Sequence, residues 1–342
     1  MNTTDRSAAV YVQTNETGEN RVVAFGRTDD GTLNELGSYP TGGAGDGVAH
    51  LTSQGSVVLT GDRRHLLVTN ASSGDVSLFD VSSGTPALVQ TIATGPAPKS
   101  IAEHAGLVYV LNTGGPSLAG FRIADGGLEP LADATRSLAD NSDPAQIGFT
   151  PDGSALVATD RGTNAIALYP VDDNGRLGEP QLQPSSGPTP YGFAFTRGGT
   201  LVVTEAFGAQ VGRAAASSYV VRGDSVIPVS RSIGNGRSEI CWAVVTGDDR
   251  YAFTTNFADG AVSRYAIGDD GTLTLEDATA GIAVEGQTGL RDEDLSSDGR
   301  FLYAVDADNQ RVFGWAVAAN GSLSPIGSWD GLPASVAGLA AS

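Results

Sequence analysis

Short apolar runs, each closed by a cluster of Gly, Ser, Asn or Asp, succeed one another from Ala8 to the end of the chain. No segment sustains the 3.6-residue apolar recurrence of an amphipathic helix, so strands are expected throughout. The strands repeat. A run of the type Val-Thr-Asn ends at Asn15, Asn70, Asn112, Asp160, Glu205, Asn256 and Asp306. A Gly/Ser-rich turn follows each, then a strand ending in an aromatic: Phe25, Phe79, Phe121, Tyr169, Tyr219, Tyr265 and Trp315. The step from marker to aromatic is 9 residues in five copies, 10 in the first and 14 in the fifth. Asp29-Asp30-Gly31, Asp125-Gly126-Gly127, Asp269-Asp270-Gly271 and Asn320-Gly321 are hairpin signals, because they supply the positive φ of tight turns.

A unit of four antiparallel strands recurring seven times predicts an all-β, seven-bladed β-propeller forming one domain over 1–342. Its blades are expected near 8–48, 49–97, 98–142, 143–187, 188–236, 237–286 and 287–332. The segment 333–342 resembles the innermost strand that the first unit lacks, and is expected to close the ring. The recurring aromatics are read as packing between blades.

With strands A to D numbered from the channel outward, markers and strand-A starts share one face, the channel mouth. The hairpin turns lie on the other. Two departures from the repeat fall on the mouth face: the Gly-rich connection from Pro40 to Gly55, and the fifth B–C loop, Ala206 to Ser218, five residues longer than its counterparts. Both are expected to border one pocket there, since loops on a rigid scaffold carry function.

Composition narrows the function. Twenty basic against 39 acidic residues give a net charge of −19, and Lys99 is the only lysine. Nucleic acid and anionic membrane surfaces both need clustered cations, so neither is an expected partner. No apolar run approaches a membrane span. The single cysteine, Cys241, excludes an intrachain disulfide. The polar stretch Met1 to Ser7 carries no hydrophobic leader, and a cytoplasmic location is expected. A small-molecule substrate is expected, with no partner protein and no cofactor.

The strand-A starts bring Ser56, Lys99, Gln146, Tyr191, Trp242, Arg291, Asp292 and Glu293 to the mouth. Glu205, beside the lengthened loop, is the candidate general base. Tyr191 is the candidate donor to a developing oxyanion. Lys99 or Arg291 can neutralise a substrate carboxylate. Gln146, Trp242, Phe257 and Asp306 complete the binding candidates. His50 is a third catalytic candidate, because His65 and His104 map to the far face.

The blade pattern Pro-Asp-Gly…Val-Thr-Asn…aromatic…Asp-Gly-Thr-Leu resembles the lactonase-family seven-bladed propellers, which include 6-phosphogluconolactonase and carboxymuconate-lactonizing enzyme. The stretches 189–195, 204–208 and 241–245 are similar to a bacterial subgroup of that family. The resemblance implies lactone hydrolysis or the related ring-closing isomerisation. It also implies a histidine pair where this chain has Asp143-Pro144-Ala145-Gln146, an arginine where it has Thr189-Pro190-Tyr191-Gly192, and an Asn-Arg pair where it has Asn256-Phe257. Of the family's acidic residues, Glu205 is the match. Without the cations a phosphorylated lactone is not expected, and a propeller that only binds ligands is the alternative. Calcium-dependent lactonase propellers imply a minority option, a cation held by Asp160, Glu205, Asn256 and Asp306. Asn at a strand end is more simply a turn residue.

Overall fold

Each repeat folds as a four-stranded antiparallel sheet, and there are seven of them. The computed structural model describes residues 8–49 and 51–342. Six sheets are continuous in sequence. The seventh joins Ala9–Gln13, Arg21–Arg27 and Leu33–Pro40 to Ala337–Ala341, which is its innermost strand. Tyr11 stands opposite Ala340 and Val12 opposite Leu339, and the Ser342 hydroxyl accepts the Ala9 amide at 2.8 Å. The C-terminal strand thus closes the ring, as expected. The helical segments among the described residues are two single 3₁₀ turns, Phe207–Ala209 and Phe257–Asp259.

The aromatics explain why the blades stay together. Phe25, Phe79, Phe121, Tyr169, Tyr219, Tyr265 and Trp315 are all buried, and each belongs to a different apolar cluster. Every cluster joins two adjacent blades, and the aromatic packs against the blade before its own. Tyr219, for example, sits with Val157 and Leu168 of blade four. Large rings fill the wedge that widens between radiating sheets.

The turns between strands A and B recur chemically. Thr60, Thr150, Thr246 and Ser296 donate to Asp62, Asp152, Asp248 and Asp298 at 2.6–2.7 Å. Each aspartate also accepts the backbone amide two residues on. These short polar closures orient strand A along the channel and place its first residues at the mouth.

Candidate functional site

Strand A is an edge strand, so one row of its peptide groups faces the channel rather than a neighbour. In five blades its ladder slips immediately after it starts. The unpaired residues are Lys99, Ala145, Tyr191-Gly192, Cys241-Trp242 and Arg291-Asp292. A bulge bends the strand and re-aims its side chains. Ala145, Tyr191, Cys241 and Trp242, from blades four, five and six, accordingly meet in one cluster with Phe257.

The geometry of this cluster is tight. The Tyr191 and Trp242 rings lie 5.0 Å apart, and the Arg161 guanidinium sits 5.0 Å from the Tyr191 ring centre. Arg161 is spoken for by Asp143, at 2.6 Å. Arg291 is different. Its guanidinium lies 3.6 Å from the Phe257 ring centre, the residue is 8% exposed, and its Nε has no hydrogen-bond partner. It forms no ion pair with any described residue. The Trp242 indole Nε1 is likewise buried and unpartnered. Burial pushes the Tyr191 phenol well above its usual range, opposed by Arg161 and Arg291, so it stays protonated. Burial also raises the Cys241 thiol to about 12, which keeps it inert at neutral pH.

Tyr191, Trp242, Phe257 and Arg291 are therefore brought together. Lys99 is held elsewhere, its Nζ 4.0 Å from Asp46. Gln146 spends its amide on blade five, donating to the Phe193 carbonyl at 3.0 Å and accepting the Phe193 amide at 2.6 Å. His50 lies outside the described residues.

Glu205 does not reach the cluster, which corrects its expected place. It is fully buried, and its carboxylate accepts from Ser217 Oγ at 2.6 Å, Ser232 Oγ at 2.7 Å and the Gly187 amide at 2.8 Å. Side chains alternate along a strand, and this one faces into its own blade and the connection entering it. A Cβ on Gly187 would collide with Glu205 Oε2, so only glycine fits over it. The other markers behave alike. Asp160 accepts from Ser142 Oγ and the Asp143 amide, Asn112 donates to the Thr94 carbonyl, and Asn256 accepts from Asn235. Asp306 accepts the Asn309 amide in its own B–C loop. The markers are pins for loops at the mouth. Asp160, Glu205, Asn256 and Asp306 therefore do not fit a shared cation: they belong to four blades, and each is engaged by its own neighbours.

The Gly42–Gly55 connection borders cavities at Asp46-Gly47 and at Gln54-Gly55, but no residue of the Ala206–Ser218 loop lines either, so the two do not share one pocket as expected. The end of the connection descends into the channel as a plug. Leu51 packs against Ala71 and Ala337, and Ser53 Oγ donates to the Ala145 carbonyl of blade four. The Gln54 carbonyl accepts Ser100 Oγ of blade three at 2.6 Å. Thr52, β-branched, takes φ +53°, a strained conformation for such a residue. Gly192 makes room for the plug, since a Cβ there would come within 2.7 Å of Gln54 Oε1. The long B–C loop lies over the mouth instead, its Gly208 and Gly212 amides donating to Thr189 and Ser238 at 3.0 Å.

Beyond the plug the channel holds a cavity of about 400 Å³ that reaches the hairpin face at Thr60–Gly61 and Phe149. Three consecutive strand-A residues, Asp292, Glu293 and Asp294, line it. Burial pushes Asp292 and Asp294 up to about 6, partly offset by the Gly338 and Ala341 amides they accept at 3.0 and 2.9 Å. Glu293, also buried, is pushed well up by burial and by Asp294, partly offset by the Thr255 backbone amide. Asp292 lies at the seam, lining the cavity while interacting electrostatically with Arg291 and Tyr191. Sequence reasoning missed Gln54 and Asp294. A run of three acids inside an inner strand was the available signal for the latter.

A family model described as lactonase, 7-bladed beta-propeller, matches residues 102–206. No curated protein matches the sequence. Among solved structures, the chain resembles a protein from Bacteroides fragilis assigned provisionally as a 6-phosphogluconolactonase, with 19% identity over 100% of this chain and 99% of that one, TM-score 0.74. It also resembles the periplasmic gluconolactonase of Pseudomonas aeruginosa, with 17% identity over 98% of both chains, TM-score 0.76. A protein of unknown function from Desulfotomaculum acetoxidans matches at 14% identity over 98% of both chains, TM-score 0.76. At these identities the likeness is one of fold.

Proposed function

From its match over residues 102–206 to the model of the lactonase seven-bladed β-propellers, we propose that this chain hydrolyses a small lactone where the mouth cluster meets the channel. The observation that carries the reading is the pairing of Tyr191 and Arg291. They are two buried donor groups on the bulges of blades five and seven, flanking the Cys241-Trp242 bulge of blade six, and neither has a hydrogen-bond partner among the described residues. Fold alone would not place them so.

The chemistry needs an acceptor of negative charge at the carbonyl and a base for water. Tyr191, kept protonated by burial, donates to the oxyanion that forms when water attacks the lactone carbonyl. Asp292, with its acidity shifted to about 6, takes the proton from that water and returns it to the alkoxide as the ring opens. Proton and electron pairs balance without a cofactor.

Turnover of a panel of neutral and carboxylate-bearing γ- and δ-lactones, followed by proton release with and without a chelator, tests this. Hydrolysis unaffected by chelator is expected. Tyr191→Phe should lower kcat by about 10²–10³, and Asp292→Asn by about 10²–10⁴. The plug favours a second reading, a propeller that only binds ligands, because Gln54 closes the channel from the mouth. Failure of the whole panel would favour it.

A further inference from the structure

Folding gives no reason for a buried guanidinium to lack an acceptor, because an unpaired buried charge costs stability. Arg291 is such a group. Phe257 covers one face of its plane and fixes it, while its Nε is buried without a partner. Trp242 Nε1, buried in the adjoining blade, also lacks an acceptor, and Tyr191 forms no hydrogen bond through its phenol. The cluster therefore presents three unpartnered donors, one of them cationic, among the described residues. A guest that satisfies these donors must be an acceptor, and the planar fork of a guanidinium matches a carboxylate.

We infer that the mouth cluster binds the carboxylate of a small monoanionic organic acid, with Arg291 as its anchor and Trp242 and Tyr191 as neighbouring donors. This rests on the hydrolase reading only for its substrate: it makes the preferred lactone one that carries a single carboxylate. Charge sets the limit of one. Arg291 is the one unpaired cation of the cluster among the described residues, and Asp292 and Asp308 lie within electrostatic range of it. A second negative charge on the guest would meet those carboxylates with no further cation to offset it.

The test uses the full chain and three sodium salts at matched ionic strength: chloride, acetate and phosphate. Acetate should raise the melting temperature by about 1–3 °C over chloride at saturating concentration. Phosphate, which raises melting generally by exclusion from the protein surface, should give the same rise in the parent and in Arg291→Met. In Arg291→Met the acetate shift should vanish, and melting in chloride should equal or exceed that of the parent, because an unpaired charge has been removed. Should that variant not fold, Arg291→Lys keeps the charge but loses the fork, and the acetate shift should fall by at least half. An acetate shift that is absent from the parent, or unchanged in the variants, overturns the inference. So does a phosphate rise that is lost in Arg291→Met. Acetate has no ring to open, so the hydrolase reading is judged separately. Binding without lactone turnover leaves this site standing and removes that reading. Turnover of neutral lactones with no acetate effect does the reverse.

Discussion

The side-chain amide of Gln54 reaches across the channel to Ala243 in blade six, donating to its carbonyl at 3.0 Å and accepting its amide at 3.2 Å. It thereby supplies a channel-facing peptide unit with the partners that an edge strand lacks. Gln146 does the same for Phe193. Two glutamines from different loops and strands thus act as short pieces of β-ladder, and one of them is the tip of the plug.

Opening the plug should expose the residue beside it. Cys241 is the only cysteine, is 7% exposed, and immediately precedes Trp242 and Ala243. Gln54→Ala removes both bonds to Ala243 and leaves that peptide unit unsatisfied, at a cost of about 1–3 kcal/mol. Labelling by an aromatic disulfide should be slow in the parent and at least tenfold faster in the variant under native conditions. Equal rates would mean that the plug stays seated without Gln54.

Glu205 should matter for stability rather than chemistry. Three donors converge on its carboxylate from strands C and D and from the connection at Gly187. A glutamine presents an NH₂ to some of these donors, so Glu205→Gln leaves donors facing each other. A loss of about 1–3 kcal/mol is expected, read as a lower urea midpoint at unchanged slope. Turnover per folded molecule should be unaffected. A variant of native stability with turnover abolished would restore Glu205 as the base.

The blades were legible in the chain because each repeat carries its own turn chemistry and its own large aromatic, and these are local signals. Seven clusters between blades follow from them directly. The site was legible only in part. Tyr191, Trp242 and Arg291 stand at strand-A starts, which sequence spacing can find. That they face the cluster depends on bulges at 191–192, 241–242 and 291–292, and a bulge of two ordinary residues leaves no mark in one sequence. Glu205 stands at the right end of the right strand but on the other side of its pleat, and a one-residue change of phase decides that. The length of the Gly42–Gly55 connection was visible. Its path into the channel was not, because that path is set by Ser53 and Gln54 meeting carbonyls two and four blades away in sequence order.

Acidity should strengthen the fold before it weakens it. In Asp292, Glu293 and Asp294, burial raises proton affinity above that of the unfolded chain, Asp292 and Asp294 standing near 6 against an ordinary 3.8. The native state therefore holds more protons than the unfolded state between about pH 6 and pH 4, and stability must rise as pH falls through that window. Above it the three carboxylates impose their full penalty. Below it the opposite group takes over, because hydrogen bonds in the turns hold Asp62, Asp152 and Asp298 below their usual range and their protonation removes those bonds. Melting temperature should thus be higher at pH 5 than at pH 8 and decline again below about pH 4. Glu293→Gln should raise stability at pH 8 and reduce the slope between pH 8 and pH 5, since one carboxyl bound as a proton fewer changes the slope by up to about 1.4 kcal/mol per pH unit. Its amide is a neutral group whose oxygen can still accept from the Thr255 backbone amide. A melting temperature that falls steadily from pH 8 to pH 5 would show that the channel acids are ionised and solvated in the native state, and Asp292 would then lose the shifted acidity on which its role as base depends.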